Sequence, residues 1–350
     1  MTPLLQQPML LNFMLFAAAA AGVWLAGSRL PFYADAIADR KRIGKAFIGL
    51  VFLASATSLP EIVTTLSASL GGEPKLVLGT LFGSLTMLTA VLASADALLA
   101  HMALTSYPRK LSHALEATLL AILLAVLLAI ATFGDRVLFL NIGLGTLVLG
   151  LAYAGTLVLL NRYEAAETWQ PVEMPEAGEQ EILPGVATGV LDRTSTKGLY
   201  LRCAITTLII LVCGLTLTAS ASALAIQTGF GSSFLGVTLL AVATSLPEVS
   251  TTFAAVRIGA YTMAISNIFG SNLLLVALLF PADVAYRGGP LLAAVDPTTS
   301  LALASGLAVT LVYVAGMLIR SRRRVLGMGI DSALVLAGYL LTLLAFYSLT

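Results

Sequence analysis

The strongest constraint on the fold is a succession of long apolar stretches along the whole chain. Hydrophobic residues make up 58% of the 350 residues and charged residues only 11%, and the mean hydropathy is +0.96. Apolar stretches of about 20 residues can cross the hydrocarbon core of a bilayer as helices, because a helix satisfies its own backbone hydrogen bonds. The sequence therefore predicts an all-α integral membrane protein surrounded by the lipid bilayer.

Polar breaks divide the apolar sequence into ten predicted spans. They lie at residues 10–31, 44–70, 76–100, 112–133, 137–160, 200–226, 231–257, 262–283, 299–320 and 328–349. A long polar segment rich in glutamate separates the fifth span from the sixth. We predict a first repeat at 1–160 (helices 1–5), a cytoplasmic acidic linker at 161–198 and a second repeat at 199–350 (helices 6–10).

The distribution of basic residues indicates the orientation in the membrane. Loops after the odd-numbered spans hold 16 of the 19 Lys and Arg residues, whereas Lys75, Arg136 and Arg287 lie on the opposite side. Since basic loops stay in the cytoplasm, both termini are predicted to face outward from the cell (inner) membrane. The net charge of +1 leaves no basic face for nucleic acid, so no nucleic-acid partner is expected.

The two halves of the chain carry an internal repeat. An offset of 187 positions aligns residues 49–96 with 236–283 without a gap, and places one TSLPE segment (57–61) on a second (244–248). A Phe-Gly-Ser segment at 82–84 falls on another at 269–271. Because each half has an odd number of spans, the second copy must enter the membrane with the opposite orientation. Transporters built from inverted repeats bind their substrate near the bilayer midplane, at broken helices.

The composition of the TSLPE segment favours a cation site. Pro60 and Pro247 lack a backbone N–H, so the carbonyls of Ala56 and Ala243 are predicted to lose their helical partner. Each half then offers carbonyl, hydroxyl and carboxylate oxygens within one turn. An all-oxygen ligand set suits inorganic cations such as calcium and sodium.

Glu61 and Glu248 are the charged residues of the predicted site. A charge at the bilayer centre costs about 2.5–3.5 kcal/mol on insertion scales. No basic residue lies near either glutamate in its span, so the pair requires a cation or protons. The hydroxyls of Ser84 and Ser271 are predicted to be further ligands.

Other polar residues in the repeat are predicted to have structural roles. Threonines in membrane helices often donate to carbonyls of their own helix, and this is expected of the four that follow the glutamates, Thr64, Thr65, Thr251 and Thr252. Asp96 and Asp283 fall at span ends, where a solvated carboxylate at the membrane surface is expected.

These motifs resemble those of the calcium/cation antiporter superfamily, whose repeats carry a G-T-S-L-P-E-like and then a G-N-x-x-G-S-N-like segment. The resemblance covers nearly the whole chain and implies two inverted five-helix repeats that exchange Ca2+ for Na+ or H+ by alternating access. It implies that Glu61 and Glu248 are the principal calcium ligands. Main-chain and hydroxyl oxygens around them would complete the sites, at Ala54, Thr57, Ser58, Ala241, Thr244 and Ser245, with Ser84 and Ser271.

Departures from the family pattern leave the coupling ion open between Na+ and H+. The first half lacks both asparagines of the pattern, which the second half has at Asn267 and Asn272. The position 27 residues after each glutamate, which is polar in typical sodium/calcium exchangers, is Leu88 in one half and Leu275 in the other. Inorganic cations are thus the expected substrates, and no resident cofactor is predicted.

Two other functions are consistent with a polar site in an apolar chain. A cation-binding membrane sensor would bind ions without transporting them. An intramembrane enzyme would need a nucleophile with a base or a metal-binding histidine pair. The only histidines are His101 and His113, and no H-E-x-x-H motif occurs, so an enzyme is not expected.

Overall fold

The computed structural model describes residues 6–108, 111–139, 141–165, 194–228, 234–321 and 323–349. The helices are α1 (Met9–Gly27), α2 (Leu30–Lys41), α3 (Lys45–Thr57), α4 (Leu59–Leu70), α5 (Pro74–Leu99), α6 (Ser112–Phe133), α7 (Leu144–Ala165), α8 (Thr196–Gln227), α9 (Phe234–Arg257), α10 (Tyr261–Ala285), α11 (Pro297–Ile319) and α12 (Ile330–Leu349). Two antiparallel hairpins pair β1 (Val137–Phe139) with β2 (Ile142–Gly143) and β3 (Arg324–Val325) with β4 (Met328–Gly329).

A helix lies at each of the ten predicted spans. Eight of the described helical segments are long and apolar enough to cross a membrane, and the bent pair of α3 and α4 makes a ninth. The predicted seventh span is α9. At the predicted linker, α7 continues to Ala165 and α8 begins at Thr196, and most of 161–198 lies outside the described residues. The domain boundaries at 160 and 199 therefore stay predictions.

The repeat extends beyond the aligned motifs to the secondary structure of both halves. At the same offset of 187 residues, the start of α1 corresponds to the start of α8, and β1 corresponds to β3. Two short 3-10 turns, Leu104–Ser106 and Leu291–Ala294, also correspond. Each half therefore places its spans, 3-10 turn and hairpin at corresponding positions, as an inverted pair of five spans requires.

The first span is longer than the sequence predicted. The apolar pattern placed its end near residue 31, but α1 and α2 together form a 33-residue span from Met9 to Lys41. Pro31 lies in the first turn of α2, where a proline is tolerated because that N–H has no helical partner. The proline thus begins a second helix, and Arg29 lies within the span rather than in a loop.

The helices α5 and α10 form the centre of the molecule. Most residues in both helices are buried, whereas α1 and α12 are mainly exposed. Large apolar side chains on the outer helices face outward, among them Leu10, Leu25 and Leu344. This distribution fits a molecule whose outer surface contacts lipid and whose polar groups lie inside.

The prediction of solvated carboxylates at Asp96 and Asp283 was wrong, because both side chains are fully buried. Asp96 accepts hydrogen bonds from the backbone N–H groups of Leu104 (3.0 Å) and Gly329 (2.9 Å). Its carboxylate thus joins the end of α5 to the nearby 3-10 turn and to the second hairpin.

Asp283, which corresponds to Asp96 at the repeat offset, makes similar contacts. It accepts from the backbone N–H groups of Leu291 (2.6 Å) and Gly143 (2.7 Å), and from the hydroxyl of Thr146 (2.5 Å). Each aspartate therefore links a 3-10 turn of its own half to a hairpin of the other half by hydrogen bonds.

We expect Asp283→Ala to lower the free energy of unfolding by about 3 kcal/mol, because it leaves the buried N–H groups of Leu291 and Gly143 without an acceptor. Asp96→Ala should have a similar effect. Thermal unfolding of the purified protein in detergent would measure both. The control is Glu73→Ala, an exposed position that should change the stability by less than about 0.5 kcal/mol. Equal melting temperatures for all three variants would contradict the structural role.

Candidate functional site

The first TSLPE segment lies at a break between two helices. Residues 48–53 of α3 form a π-helix, and such segments often occur at functional sites. α3 ends at Thr57, Ser58 leaves the helical conformation, and Pro60 lies in the first turn of α4. The axes of α3 and α4 differ by 50°, which confirms the predicted break in this half.

The second TSLPE segment differs in its backbone. α9 runs continuously from Phe234 to Arg257 with Pro247 inside it. Here the proline removes one helical hydrogen bond without ending the helix, since the residue four positions earlier, Ala243, loses its N–H partner. The two motifs have the same sequence but not the same backbone, so the site is not symmetric.

The two predicted glutamates come together from opposite halves of the chain. Glu61 is 1% exposed and Glu248 is fully buried, and their carboxyl groups are close neighbours. Ser58 links the halves, because its hydroxyl lies 2.9 Å from Glu248 Oε1 and 3.3 Å from Ser271 Oγ. The sequence had predicted all four of these residues as ligands.

Several oxygens at this site have no hydrogen-bond partner among the described residues. They are both carboxylate oxygens of Glu61, Oε2 of Glu248, and the hydroxyls of Ser84 and Ser245. The described ion pairs do not involve either glutamate, and Lys45 on α3 instead pairs with Asp35 and Asp39. Burying an ionised carboxylate without a partner is very costly, so this group of oxygens needs a cation or protons.

The other predicted site residues differ in whether their oxygen atoms already take part in hydrogen bonds. Thr57 donates back to the carbonyls of Leu53 (3.1 Å) and Ala54 (3.2 Å), and the Ala54 carbonyl also accepts the Ser58 N–H (3.0 Å). Thr244 is buried beside Ser245. Ala241 lies in α9.

The threonines after the glutamates do not all behave alike. Thr64 and Thr251 donate to the carbonyls of Pro60 and Pro247, both at 2.9 Å, which confirms the prediction for these two. Thr65 is buried, and its hydroxyl has no partner among the described residues.

Sequence reasoning missed Ser69, which is buried and equally without a partner in the described chain. Glu61, Thr65 and Ser69 recur every four residues, so they share one face of α4. This spacing was the signal that could have identified the polar face.

Asn272 makes a contact between the halves that the repeat helps to explain. Its amide donates to the Leu85 carbonyl (3.5 Å) and the Thr89 hydroxyl (3.4 Å) on α5. Leu85 is the residue that corresponds to Asn272 at the repeat offset, so the contact lies near the pseudo-two-fold axis. Leu88 and Leu275 are both buried and supply no polar atom there.

Close packing of α3 against α10 fixes the site geometry. A β-carbon on Gly270 would collide with the Leu50 carbonyl and would lie 2.9 Å from Ala54 Cβ. A β-carbon on Gly49 would lie 2.6 Å from the Met263 carbonyl. Glycine at these positions allows the two backbones to approach closely, as small residues do in membrane helices.

Comparisons with known proteins show the family to which the chain belongs. Residues 11–160 and 199–348 match the profile of a family described as sodium/calcium exchanger protein. The chain is 26% identical over 263 residues to the inner membrane protein YrbG of Escherichia coli (strain K12), covering 73% of this chain and 76% of that protein. It is 26% identical over 258 residues to the protein named "Putative antiporter CaxA" of Alkalimonas amylolytica, covering 72% of this chain and 73% of that protein.

The fold is also that of a solved exchanger. The sodium-calcium exchanger NCX_Mj, in crystals soaked with 10 mM Na+ and 10 mM Sr2+, superposes with a TM-score of 0.72 at 17% identity. The match covers 96% of this chain and 99% of that chain. NCX_Mj soaked with 10 mM Na+ and zero Ca2+ gives a TM-score of 0.70 at 18% identity, over 97% and 99% of the chains.

An inverted-repeat membrane fold with a polar site between its halves is typical of secondary transporters. Because the family profile matches most of the chain, in both halves, the chain belongs to the sodium/calcium exchanger family and is a cation antiporter.

We expect Gly270→Ala to lower the melting temperature and to reduce cation transport at least tenfold, because the added methyl group must push α3 away from α10. The matched control is Gly155→Ala, since Gly155 is exposed on α7. Thermal unfolding and cation uptake by vesicles would measure both effects. Wild-type transport by Gly270→Ala would show that the close contact is not needed.

Proposed function

We propose that the protein exchanges Ca2+ for Na+ or H+ by alternating access, with Glu61 and Glu248 as the principal cation ligands. Oxygens that surround them complete the ligand set, at Ala54, Thr57, Ser58, Ser84, Ala241, Thr244, Ser245 and Ser271. The observation that carries the proposal is the pair of buried carboxylates, one from each half, with three oxygens that lack a partner among the described residues. Hard cations with oxygen ligands fit such a group.

The charge of this pair gives a physical reason for exchange rather than free passage. An empty, ionised pair carries two negative charges, and enclosing them away from water is very costly. One calcium ion, two protons or sodium ions neutralise the pair. The carrier can then change its side of access only when loaded, which couples the movement of one ion to that of another.

The identity of the counter-ion is the finer part of the proposal. Support for sodium comes from the two TSLPE segments and from the fold shared with a sodium-calcium exchanger. Support for protons comes from Leu88 and Leu275, which remove the polar side chains expected in a sodium/calcium exchanger, and from the close carboxylates, which readily share protons.

A transport-inactive cation sensor is the second candidate. The missing asparagines in the first half favour it, because Leu85 replaces one of them at the contact between the halves. The site itself would be the same, so only a flux measurement separates a sensor from an antiporter.

We further propose that the protein lies in the inner membrane with both termini outside. The bias of basic residues toward the loops after odd-numbered spans supports this orientation. A relative at 26% identity is named an inner membrane protein, which supports the location. The predicted cytoplasmic side is then the one that holds the loop between α5 and α6.

We expect Glu61→Gln and Glu248→Gln each to reduce calcium uptake by about 100-fold or more, because removing one charge of a buried interacting set costs about 3–5 kcal/mol. Uptake of calcium-45 by vesicles that contain the purified protein would measure this. Glu73→Gln is the matched control, since Glu73 is exposed between α4 and α5. Unchanged uptake in both site variants would refute the ligand assignment.

Imposing the sodium and proton gradients separately tests the counter-ion. We expect at least one gradient to drive calcium into reconstituted vesicles above the level reached without a gradient. The reason is that the carboxylate pair must bind sodium ions or protons before the site can change its side of access again. Empty vesicles under the same gradients are the control. Calcium binding with no flux under either gradient would identify a sensor and contradict antiport.

A further inference from the structure

A second group of buried polar side chains lies outside the candidate cation site. His113 and Glu116 on α6 are each 2% exposed, and Ser266 on α10 is fully buried. The Ser266 hydroxyl lies 2.9 and 2.8 Å from the two Glu116 oxygens and 2.9 Å from His113 Nδ1. Glu116 Oε2 is 3.3 Å from the same nitrogen. We call these three residues the His–Glu–Ser cluster.

We propose that the His–Glu–Ser cluster is a proton-binding site whose occupancy opposes cation binding at Glu61 and Glu248. This inference rests on the proposed function and adds a second, titratable site to it. A neutral imidazole with an ionised Glu116 gives the cluster a charge of −1. Uptake of one proton, by either group, brings the charge to zero.

The geometry of the cluster suits proton storage and not catalysis. Ser266 and Glu116 both contact Nδ1, so the imidazole does not stand between a nucleophile and an orienting carboxylate, as it does in a hydrolase triad. Instead Nδ1–H can donate to the Ser266 oxygen while the Ser266 hydroxyl donates to Glu116. A histidine is the side chain whose charge changes most readily near neutral pH.

The repeat shows that packing alone does not require this cluster. At the offset of 187 residues, His113, Glu116 and Ser266 correspond to Ser300, Leu303 and Gly79. Leu303 is fully buried, so the other half fills the same position with an apolar side chain. Buried ionisable groups are costly compared with well-packed apolar ones, and here they are kept on one side of the molecule only.

The cluster is close enough to the cation site to be linked to it electrostatically. Ser266 and Ser271 are five residues apart on α10, which is about 7.5 Å along a helix. Ser271 contacts Ser58, which in turn contacts Glu248. A change of one unit charge in the cluster therefore alters cation affinity at the carboxylate pair, because charges interact over such separations at the effective dielectric constant of about 20 that suits protein interiors.

The cluster also packs against the helix that carries the first part of the cation site. A β-carbon on Gly49, in the π-helical part of α3, would lie 3.1 Å from Ser266 Cβ, so the cluster packs against the segment that leads to Ser58. His113 is the second residue of α6, at the end predicted to face the cytoplasm.

Other titratable groups surround the cluster without bonding to it. On the elements packed against α6 and α10, the described ones are Lys45, Glu61, Lys75, Asp96, Tyr153, Arg162, Tyr163, Glu248, Arg257, Tyr261, Asp283 and Tyr313, with Tyr107 and Arg320 in adjoining turns. In the described chain none of them forms a hydrogen bond or ion pair with His113, Glu116 or Ser266. Changes in cluster charge therefore belong to His113 and Glu116.

The wild-type protein allows a direct test because it contains only two histidines. Full-length protein labelled with carbon-13 histidine would be titrated with acid in detergent, with calcium chloride or with choline chloride of equal ionic strength. We expect calcium to move the midpoint of the His113 titration down by about one pH unit, which corresponds to tenfold coupling. His101, which is exposed, should titrate identically in both salts and serves as the internal control.

Two variants complete the test with a second readout. Calcium added to the weakly buffered wild-type protein should release more protons per bound ion than calcium added to Glu116→Gln or His113→Gln, by up to one proton. Each variant loses the release because a buried imidazolium or carboxylate without its partner stays neutral. Glu73→Gln should release as many protons as wild type.

The outcomes separate this inference from the function on which it rests. A His113 titration that is the same with and without calcium, or equal proton release by wild type and both variants, overturns the proton site while calcium binding stands. Absence of calcium binding by the wild-type protein overturns the proposed function, and the proton site with it.

Discussion

The interaction on which the structure depends is the meeting of two buried carboxylates between the halves of an apolar chain. Glu61 and Glu248 repel each other, and in the described structure no basic side chain pairs with either. The fold can keep them ionised only by binding cations, so the free energy of the carrier depends on which ion is present. A passive pore would not need its free energy to depend on the bound ion in this way.

The surrounding scaffold holds this unfavourable pair in place from both sides. Gly49 and Gly270 let α3 and α10 pack with their backbones in contact, and Asn272 joins α10 to α5 beside the two-fold axis. Farther from the site, Asp96 and Asp283 fasten loops to hairpins at related ends of the repeat. These contacts are made by buried polar groups that have hydrogen-bond partners, whereas the oxygens of Glu61 have none among the described residues.

Much of this organisation could be predicted from the sequence, for physical reasons. Spans are set by the length of apolar runs, and the gapless offset of TSLPE and Phe-Gly-Ser predicts that their residues meet. Ser58, Glu248 and Ser271 do lie in contact. The burial of Asp96 and Asp283 could not be predicted, because a carboxylate at the end of a span can be hydrated or can accept hydrogen bonds from buried N–H groups.

The backbone of the motifs and the His–Glu–Ser cluster were also beyond sequence reasoning. Proline predicts the loss of one hydrogen bond, but neighbouring contacts decide whether the helix breaks, as before Pro60, or continues, as at Pro247. His113 and Ser266 are 153 positions apart, and no periodic pattern connects them. Only the packing of α6 on α10 brings them together.

Departures from symmetry give the two sides of the carrier different properties. Perfectly equivalent inverted halves would make the inward-facing and outward-facing states mirror each other, with equal affinity for each ion on both sides. Here the helix break lies in one half, both asparagines lie in the other, and the His–Glu–Ser cluster lies at one end only. The proton uptake proposed for this cluster makes the energy of the loaded site depend on pH through one half of the repeat more than through the other. The asymmetry of the sequence therefore sets how the two access states respond to their own side of the membrane, while the symmetry of the fold makes both states accessible.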